Sequence, residues 1–294
     1  MGSLIDFPLV LGSFLVAIVV GLTGMGGGAL MTPMMMLFFN VPPLAAVSSD
    51  LVASAVMKPV GGLVHLRRGT VNLRLVAWLC VGSVPAAFCG VFVARMFGDI
   101  QGTVKIALGV ALLLAVAGLI AKTFLGNKGG TASAHEIVVR PIPTVLVGTV
   151  GGLVVGISSV GSGSLIIVAL LALYPALKAN QLVGTDLVQA VPLVASAALG
   201  HLLFGDFQLD LTVSLLLGSI PGVYLGARVS AWAPGGVIRA LLAIVLLASA
   251  LKLLNVNNVA LLWVMAAAVP LTALIGLKAS ARTSTENRDL SRVP

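Results

Sequence analysis

The chain has 294 residues, of which 59% are hydrophobic and only 9% charged. That leaves too little polar surface to cover a water-soluble core, so lipid must solvate much of its outside. The net charge of +8 does not point to nucleic acid: the 10 Phe, 3 Trp and 2 Tyr are not interleaved with a basic patch, and in membrane proteins Lys and Arg gather in cytoplasmic loops.

In chain order, the apolar segments run over 8–39, 43–66, 71–97, 101–124, 142–174, 179–204, 207–233, 236–254 and 257–277. About 20 apolar residues cross the hydrocarbon as a helix, and runs such as 104–124 lack the two-residue alternation of a membrane barrel. The predicted fold is therefore an all-α polytopic membrane protein. Segment 8–39 is too long for one straight span and is interrupted by glycines at 21, 24, 26, 27 and 28. Its legs, 8–22 and 28–39, would extend only about 22 and 18 Å at 1.5 Å per residue, short of the roughly 30 Å of hydrocarbon. Two short legs and a Gly-rich tip predict a re-entrant helical hairpin. Segment 142–174 has the same form.

The two halves repeat. Gly21-Leu-Thr-Gly-Met-Gly26-Gly-Gly28 matches Gly156-Ile-Ser-Ser-Val-Gly161-Ser-Gly163 at an offset of 135, which becomes 136 after a one-residue insertion. Asp50 then falls on Asp186, His65 on His201, and Gly82-Ser83-Val84-Pro85 on Gly218-Ser219-Ile220-Pro221; fifteen of the forty-five positions over 50–94 are identical. Shared composition explains matching leucines, but not Asp, His and a Gly-Ser-x-Pro run in register. Internal duplication is characteristic of secondary transporters.

Basic residues set the expected topology. If both hairpins re-enter, thirteen Lys and Arg fall on one side and three (Arg95, Lys105, Lys252) on the other; if each broken segment crosses once, the split is seven against nine. The positive-inside rule selects the first arrangement. The expectation is an inverted repeat: a Gly-rich broken hairpin plus three transmembrane helices, twice, then one extra helix. The first repeat covers 1–124, a polar cytoplasmic linker 125–141, the second repeat 142–256, the extra helix 257–277 and a cytoplasmic tail 278–294. The N-terminus is expected outside and the C-terminus in the cytoplasm, in a plasma membrane, the inner one for a bacterium.

Candidate binding residues follow from this arrangement. Helix N-termini carry unsatisfied amides and partial positive charge, and glycine lets a ligand approach the backbone. The two tips, Thr23, Gly24, Gly26, Gly27, Gly28 and Ser158, Ser159, Gly161, Ser162, Gly163, are thus expected to bind a small anionic substrate. Glycines that only permit close helix packing are the structural alternative. Ser49 and Thr185, each preceding an aspartate, join the substrate set. Asp50 and Asp186 lie about seven residues inside membrane helices, where charge is costly and usually functional. They and His65 and His201 are candidates for proton coupling or gating, with helix capping and structural hydrogen bonds as the alternative. Lys58, whose counterpart is Val194, is expected to pair with an acid or contact the substrate rather than face lipid. With 3 His and 2 Cys, no metal site is expected. No cofactor, catalytic residue or enzyme activity is expected, and Gly24-Met-Gly26-Gly-Gly28 lacks the soluble βαβ context of a dinucleotide loop. A homo-oligomer stays open.

Gly24-Met-Gly-Gly-Gly28 with Pro33, then Ser49-Asp50, and the second copy with Gly184-Thr185-Asp186, resemble the TauE/SafE family over roughly residues 8–275. The family consists of membrane permeases described as exporters of sulfite, organosulfonates such as sulfoacetate, and related anions. The resemblance implies an anion permease, although the usual second Gly-Gly-Gly stands here as Gly161-Ser162-Gly163. An importer of the same anions and a passive anion channel are the alternatives.

Overall fold

The computed structural model describes residues 5–23, 27–67, 69, 71–96, 99–125, 137–161, 165–177, 179–229, 235–264 and 266–267. Within them lie ten helices: α1 (Phe7–Thr23), α2 (Gly28–Phe38), α3 (Pro43–Arg67), α4 (Leu73–Met96), α5 (Ile100–Leu125), α6 (Pro141–Ser158), α7 (Leu165–Leu173), α8 (Ala179–Phe204), α9 (Leu209–Val229) and α10 (Gly235–Leu253). Helical backbone resumes over 258–264, where the expected extra helix begins. Residues 126–136 of the linker and the tail lie outside the described residues.

Local chemistry sets the boundaries. Asp6, Asn72, Asp99 and Asn257 each accept a hydrogen bond from a first-turn amide, those of Leu9, Leu75, Gly102 and Ala260. Such side-chain caps satisfy orphan donors. Pro43 and Pro141 open α3 and α6, where a missing N–H costs nothing. Asn40, Ser159 and Asn255 end α2, α6 and α10 at φ +53, +59 and +58; left-handed geometry of this kind terminates a helix.

Both broken segments fold back on themselves. Gly12 of α1 faces Phe39 and Met34 beside the end of α2. Tyr174, just past α7, accepts from the Arg140 amide at 2.8 Å and shares a 2.6 Å hydrogen bond with Thr144 at the start of α6. The legs are unequal, with 17 and 11 residues in the first hairpin and 18 and 9 in the second. At 1.5 Å per residue α6 reaches about 27 Å, longer than the sequence reading expects. Among the described residues, Pro141–Ser158 is accordingly one of five helices long and apolar enough to span a membrane, with Leu73–Ala94, Ile100–Ile120, Gly184–Phe204 and Leu209–Gly226.

The first leg of each hairpin packs on the second full helix of the other half, α1 on α9 and α6 on α4. Both pairs run parallel. The backbones of Val10, Phe14 and Ile18 meet Gly218, Gly222 and Gly226, while those of Leu79, Ser83 and Ala87 meet Gly148, Gly152 and Gly156. Gly218, Gly222 and Gly226 stand four apart on α9, and Gly148, Gly152 and Gly156 do the same on α6, although the α1 mates of the latter, Ser13, Ala17 and Gly21, are not all glycine. At such sites a Cβ falls on main chain that cannot rotate away. Gly152→Val is therefore expected to destabilise by at least the ~1–3 kcal/mol of ordinary overpacking, read as a lower Tm in detergent. Gly69→Asn, at φ +64 with nothing near its would-be Cβ, is expected to leave Tm unchanged, since Asn tolerates this conformation.

Helices α3 and α8 cross antiparallel at the centre, with Ser48 beside His201 at one end and Gly62 against Leu187, Val188 and Val191 at the other. Helices α5 and α10 pair on one flank. Their apolar cluster takes in Val20, Ala29, Leu30 and Val160, which holds both hairpin tips.

Candidate functional site

The tips meet. A Cβ on Gly28, the first residue of α2, would strike the backbone and Oγ of Ser159. Beneath that junction lies the Asp50 carboxylate, 1% exposed. Its Oδ2 accepts from Thr32 Oγ1 at 3.1 Å and from Ser159 Oγ at 2.5 Å. Thr32 belongs to the first hairpin and Ser159 to the second, so one carboxylate on α3 ties both. The αL turn at Ser159 aims the hydroxyl, and Ser158 stabilises that turn: its Oγ donates to Val154 O at 2.7 Å and accepts from the Val160 amide at 3.2 Å. Gly161, at φ +123, accepts from the Leu165 amide and so opens α7.

The duplicated acids differ in their surroundings. In the repeat register, Thr32 and Ser159 correspond to Ile167 and Gly24, so Asp186 has no hydroxyl from either of those positions. The Lys58 ammonium lies within electrostatic range of both. Asp50, Ser54 and Lys58 recur at four-residue spacing on α3, which places them on one face.

Ser49 and Thr185 make equivalent bonds. Ser49 Oγ donates to Gln208 O at 3.3 Å and accepts from its amide at 3.4 Å, while Thr185 Oγ1 accepts from the Asn72 amide at 3.2 Å. Gln208 and Asn72 are mates in the repeat and precede α9 and α4. The hydroxyl before each aspartate therefore anchors a helix entry of the other half.

His201, 1% exposed, sits in a directed chain. The Asp206 amide donates to Ser48 Oγ at 3.2 Å, Ser48 lies 2.8 Å from His201 Nδ1, and Nε2 lies 2.6 Å from Gly156 O. A carbonyl only accepts, so Nε2 carries the proton and Nδ1 receives that of Ser48. His201 thus fastens α3 to the first leg of the second hairpin. His65 stands half-buried in the last turn of α3; its partner position for Ser48 is Gly184.

Gly27 precedes α2 without a side-chain cap, and its carbonyl accepts from Leu30 and Met31. Thr23 ends α1, and its side chain lies outside the described residues, as do Gly24, Gly26, Ser162 and Gly163. The structure brings Gly27, Gly28, Asp50, Ser158, Ser159 and Gly161 into one junction. Thr32, Ser48, Ser54 and Gln189 go unmarked in the sequence reading, because each has a mate that is not its chemical equivalent. Among the described residues no cluster of three or more potential metal ligands occurs.

The family described as "Sulfite exporter TauE/SafE" matches residues 9–253. The chain belongs to this family. It is a multi-pass membrane transporter, as the match and the apolar helices together require. Three Bacillus subtilis (strain 168) proteins are similar to it. "Probable membrane transporter protein YjnA" is 35% identical over 255 residues, 84% of this chain and 98% of the relative. "Probable membrane transporter protein YdhB" is 26% identical over 79% of this chain and 93% of its own, and "Probable membrane transporter protein YunE" is 38% identical over 26% of this chain and 27% of its own. No solved structure matches.

Proposed function

We propose that this TauE/SafE transporter is a secondary permease that exports a small anion, sulfite or a small organosulfonate, across the plasma membrane through the junction of its hairpin tips. The observation carrying this reading is the uncapped N-terminus of α2 abutting Ser159. The amides of Gly28 and Ala29 have no helical acceptor by construction, and the helix end favours negative charge. Gly27, Gly28, Ser159 and Gly161, with Thr23, Gly24, Gly26, Ser158, Ser162 and Gly163 around them, form the proposed binding tips. Lys58 adds positive potential. Ser49 and Thr185 hold the helix entries against which the tips close.

An inside-negative membrane favours anion efflux by about 2.3 kcal/mol per charge per 100 mV, so no nucleotide is required. The parallel pairs α1–α9 and α4–α6 and the antiparallel α3–α8 pair support the inverted repeat, and the distribution of Lys and Arg supports an outside N-terminus and a cytoplasmic C-terminus. Proton coupling would run through Asp50 or Asp186, with His65 and His201 as gating groups. Such repeats alternate access by rocking one half against the other.

The test is flux of labelled sulfite, sulfoacetate and sulfate in proteoliposomes under imposed potential and pH gradients. Saturable flux driven by an inside-negative potential is the expected result. Unitary currents would identify a channel instead, and uptake tied to a coupling ion an importer. Cysteine labelling that placed 206–210 in the cytoplasm would overturn the topology.

A further inference from the structure

The Asp50 carboxylate is held as an oxyanion between the hairpins would be. Two hydroxyls, Thr32 Oγ1 at 3.1 Å and Ser159 Oγ at 2.5 Å, donate to one buried oxygen, Oδ2. One comes from each hairpin. Gly28, which opens α2, stands against the second of them: a Cβ there would lie 2.8 Å from Ser159 Oγ. Thr32 is one turn on from Gly28, on the same face of α2. A hydroxyl has a single proton to give. An anion that enters between the tips therefore cannot take these donors while Asp50 keeps them, and two anions on one pair of donors repel.

The chain carries another donor for the carboxylate. Ser54, 1% exposed, lies one turn beyond Asp50 on the same face of α3. Side chains of a helix lean toward its N-terminus, so the Ser54 hydroxyl covers the turn that Asp50 occupies, and such pairs have Cβ atoms about 5–6 Å apart. Ser54 Oγ has no hydrogen-bond partner. A helical serine can bond back to the carbonyl four residues earlier, here that of Asp50, and Ser54 does not. A buried hydroxyl left unpartnered is costly, so a chain retains one where a second state supplies the bond. The Asp50 carboxylate, turned away from the tips, is an acceptor within reach. The three donors also go together in the sequence: their repeat mates, Ile167, Gly24 and Ala190, carry no hydroxyl.

We propose that Asp50 is a built-in ligand filling the anion position between the hairpin tips, and that the transported oxyanion takes Thr32 and Ser159 from it while the carboxylate turns to Ser54. Thr32 thereby becomes a substrate contact, and Ser54 the resting place of the displaced acid. In the empty state Ser54 is the one of these three hydroxyls without an acceptor; in the loaded state all three have one. The exchange deepens the permease reading and rests on it for the identity of the anion class.

The probe is sodium sulfite against sodium chloride, with purified full-length protein in detergent, and its affinity is read from the rise of Tm with sulfite concentration. Asp50→Asn is expected to tighten sulfite binding about tenfold, because the amide keeps an acceptor but neither repels the anion nor holds the hydroxyls as strongly. A carboxylate that served only as a tether would give unchanged or weaker binding. Ser54→Ala is expected to weaken sulfite binding about tenfold, about 1.4 kcal/mol for the bond lost in the loaded state, and to leave it unmoved in the Asp50→Asn background. Without sulfite, Ser54→Ala is expected to melt no lower than wild type, because it deletes an unpartnered hydroxyl, so its result stands even if Asp50→Asn does not fold. A folded Asp50→Asn that fails to raise sulfite affinity, or a Ser54→Ala that fails to lower it, overturns the exchange. Sulfite flux through wild-type proteoliposomes would in that case leave the permease reading standing. The expected pattern of affinities with no wild-type flux keeps the exchange and removes the permease reading.

Discussion

Asp50→Ala is expected to lower the stability of the purified transporter by roughly 3 kcal/mol and to reduce anion flux more than tenfold. The carboxylate accepts from Thr32 and Ser159 through one oxygen, and hydrogen bonds to a charged group contribute about 1.5–3 kcal/mol each. Its removal also leaves two hydroxyls with no mutual anchor, so the tips lose the tether that fixes their separation. Asp50→Asn keeps a carbonyl acceptor and is expected to cost less stability. If Asp50 carries the coupled proton, Asn still abolishes the response of flux to a pH gradient. Thermal denaturation and gradient-driven flux on the same preparations separate the two roles: Asn flux that keeps its pH dependence ends the proton-carrier reading. A Thr32→Val and Ser159→Ala cycle tests the tether independently. Coupling of about 0.5–3 kcal/mol is expected, because both report on one carboxylate. Additive effects would mean that the hairpins are held elsewhere.

The fold was legible because its signals are local or periodic. Segment lengths, the glycine breaks at 21–28 and 156–163, and the match of Asp50-to-Pro85 with Asp186-to-Pro221 need no knowledge of packing. They suffice for hairpins plus helices in two copies. The bonding partners were not legible, because each contact crosses between copies. Thr32 and Ser159 lie 18 and 109 residues from Asp50, and nothing in the sequence says that a hydroxyl in one hairpin and another in the second converge on a single oxygen. The same reason hid the roles of Ser48 and Gln189, whose partners lie 153 and 106 residues away. The repeat itself obscured the site in another way. Sequence reasoning looks for matched pairs, and the polar chemistry here is unmatched: Thr32 against Ile167, Ser159 against Gly24, Lys58 against Val194, Gln189 against Ala53. Symmetry built the scaffold, and departures from symmetry placed the chemistry. An exchange of Asp50 and Asp186 variants should therefore not be equivalent. Asp186→Asn is expected to spare the tip junction and act instead through Lys58.

Gly28→Ala is expected to reduce flux more than tenfold while Gly27→Ala, one residue away, leaves it within about twofold. The two glycines open the same helix, yet their surroundings differ. A Cβ on Gly27 would meet Met31 Cγ at 3.6 Å and Met57 Cε at 3.8 Å, ordinary contact with flexible side chains. Gly27 also has right-handed helical angles, φ −57 and ψ −35, which alanine adopts without strain. A Cβ on Gly28 would overlap the carbonyl of Ser159 and crowd its Oγ. Main chain held by the Ser159–Val155 hydrogen bond and by Asp50 cannot step aside, so the tips must separate. Separation lengthens the bond from Ser159 to Asp50 and withdraws the amides of α2 from any anion between the tips. A change of 1.4 kcal/mol is tenfold in binding or rate, and overpacking by one methyl commonly exceeds that. Parallel flux and Tm measurements on both variants read the difference. Equal flux in the two would show that the tips do not close on one another during transport. Loss in both, with Tm unchanged, would instead point to backbone amides of Gly27 and Gly28 contacting the substrate with no tolerance for either methyl.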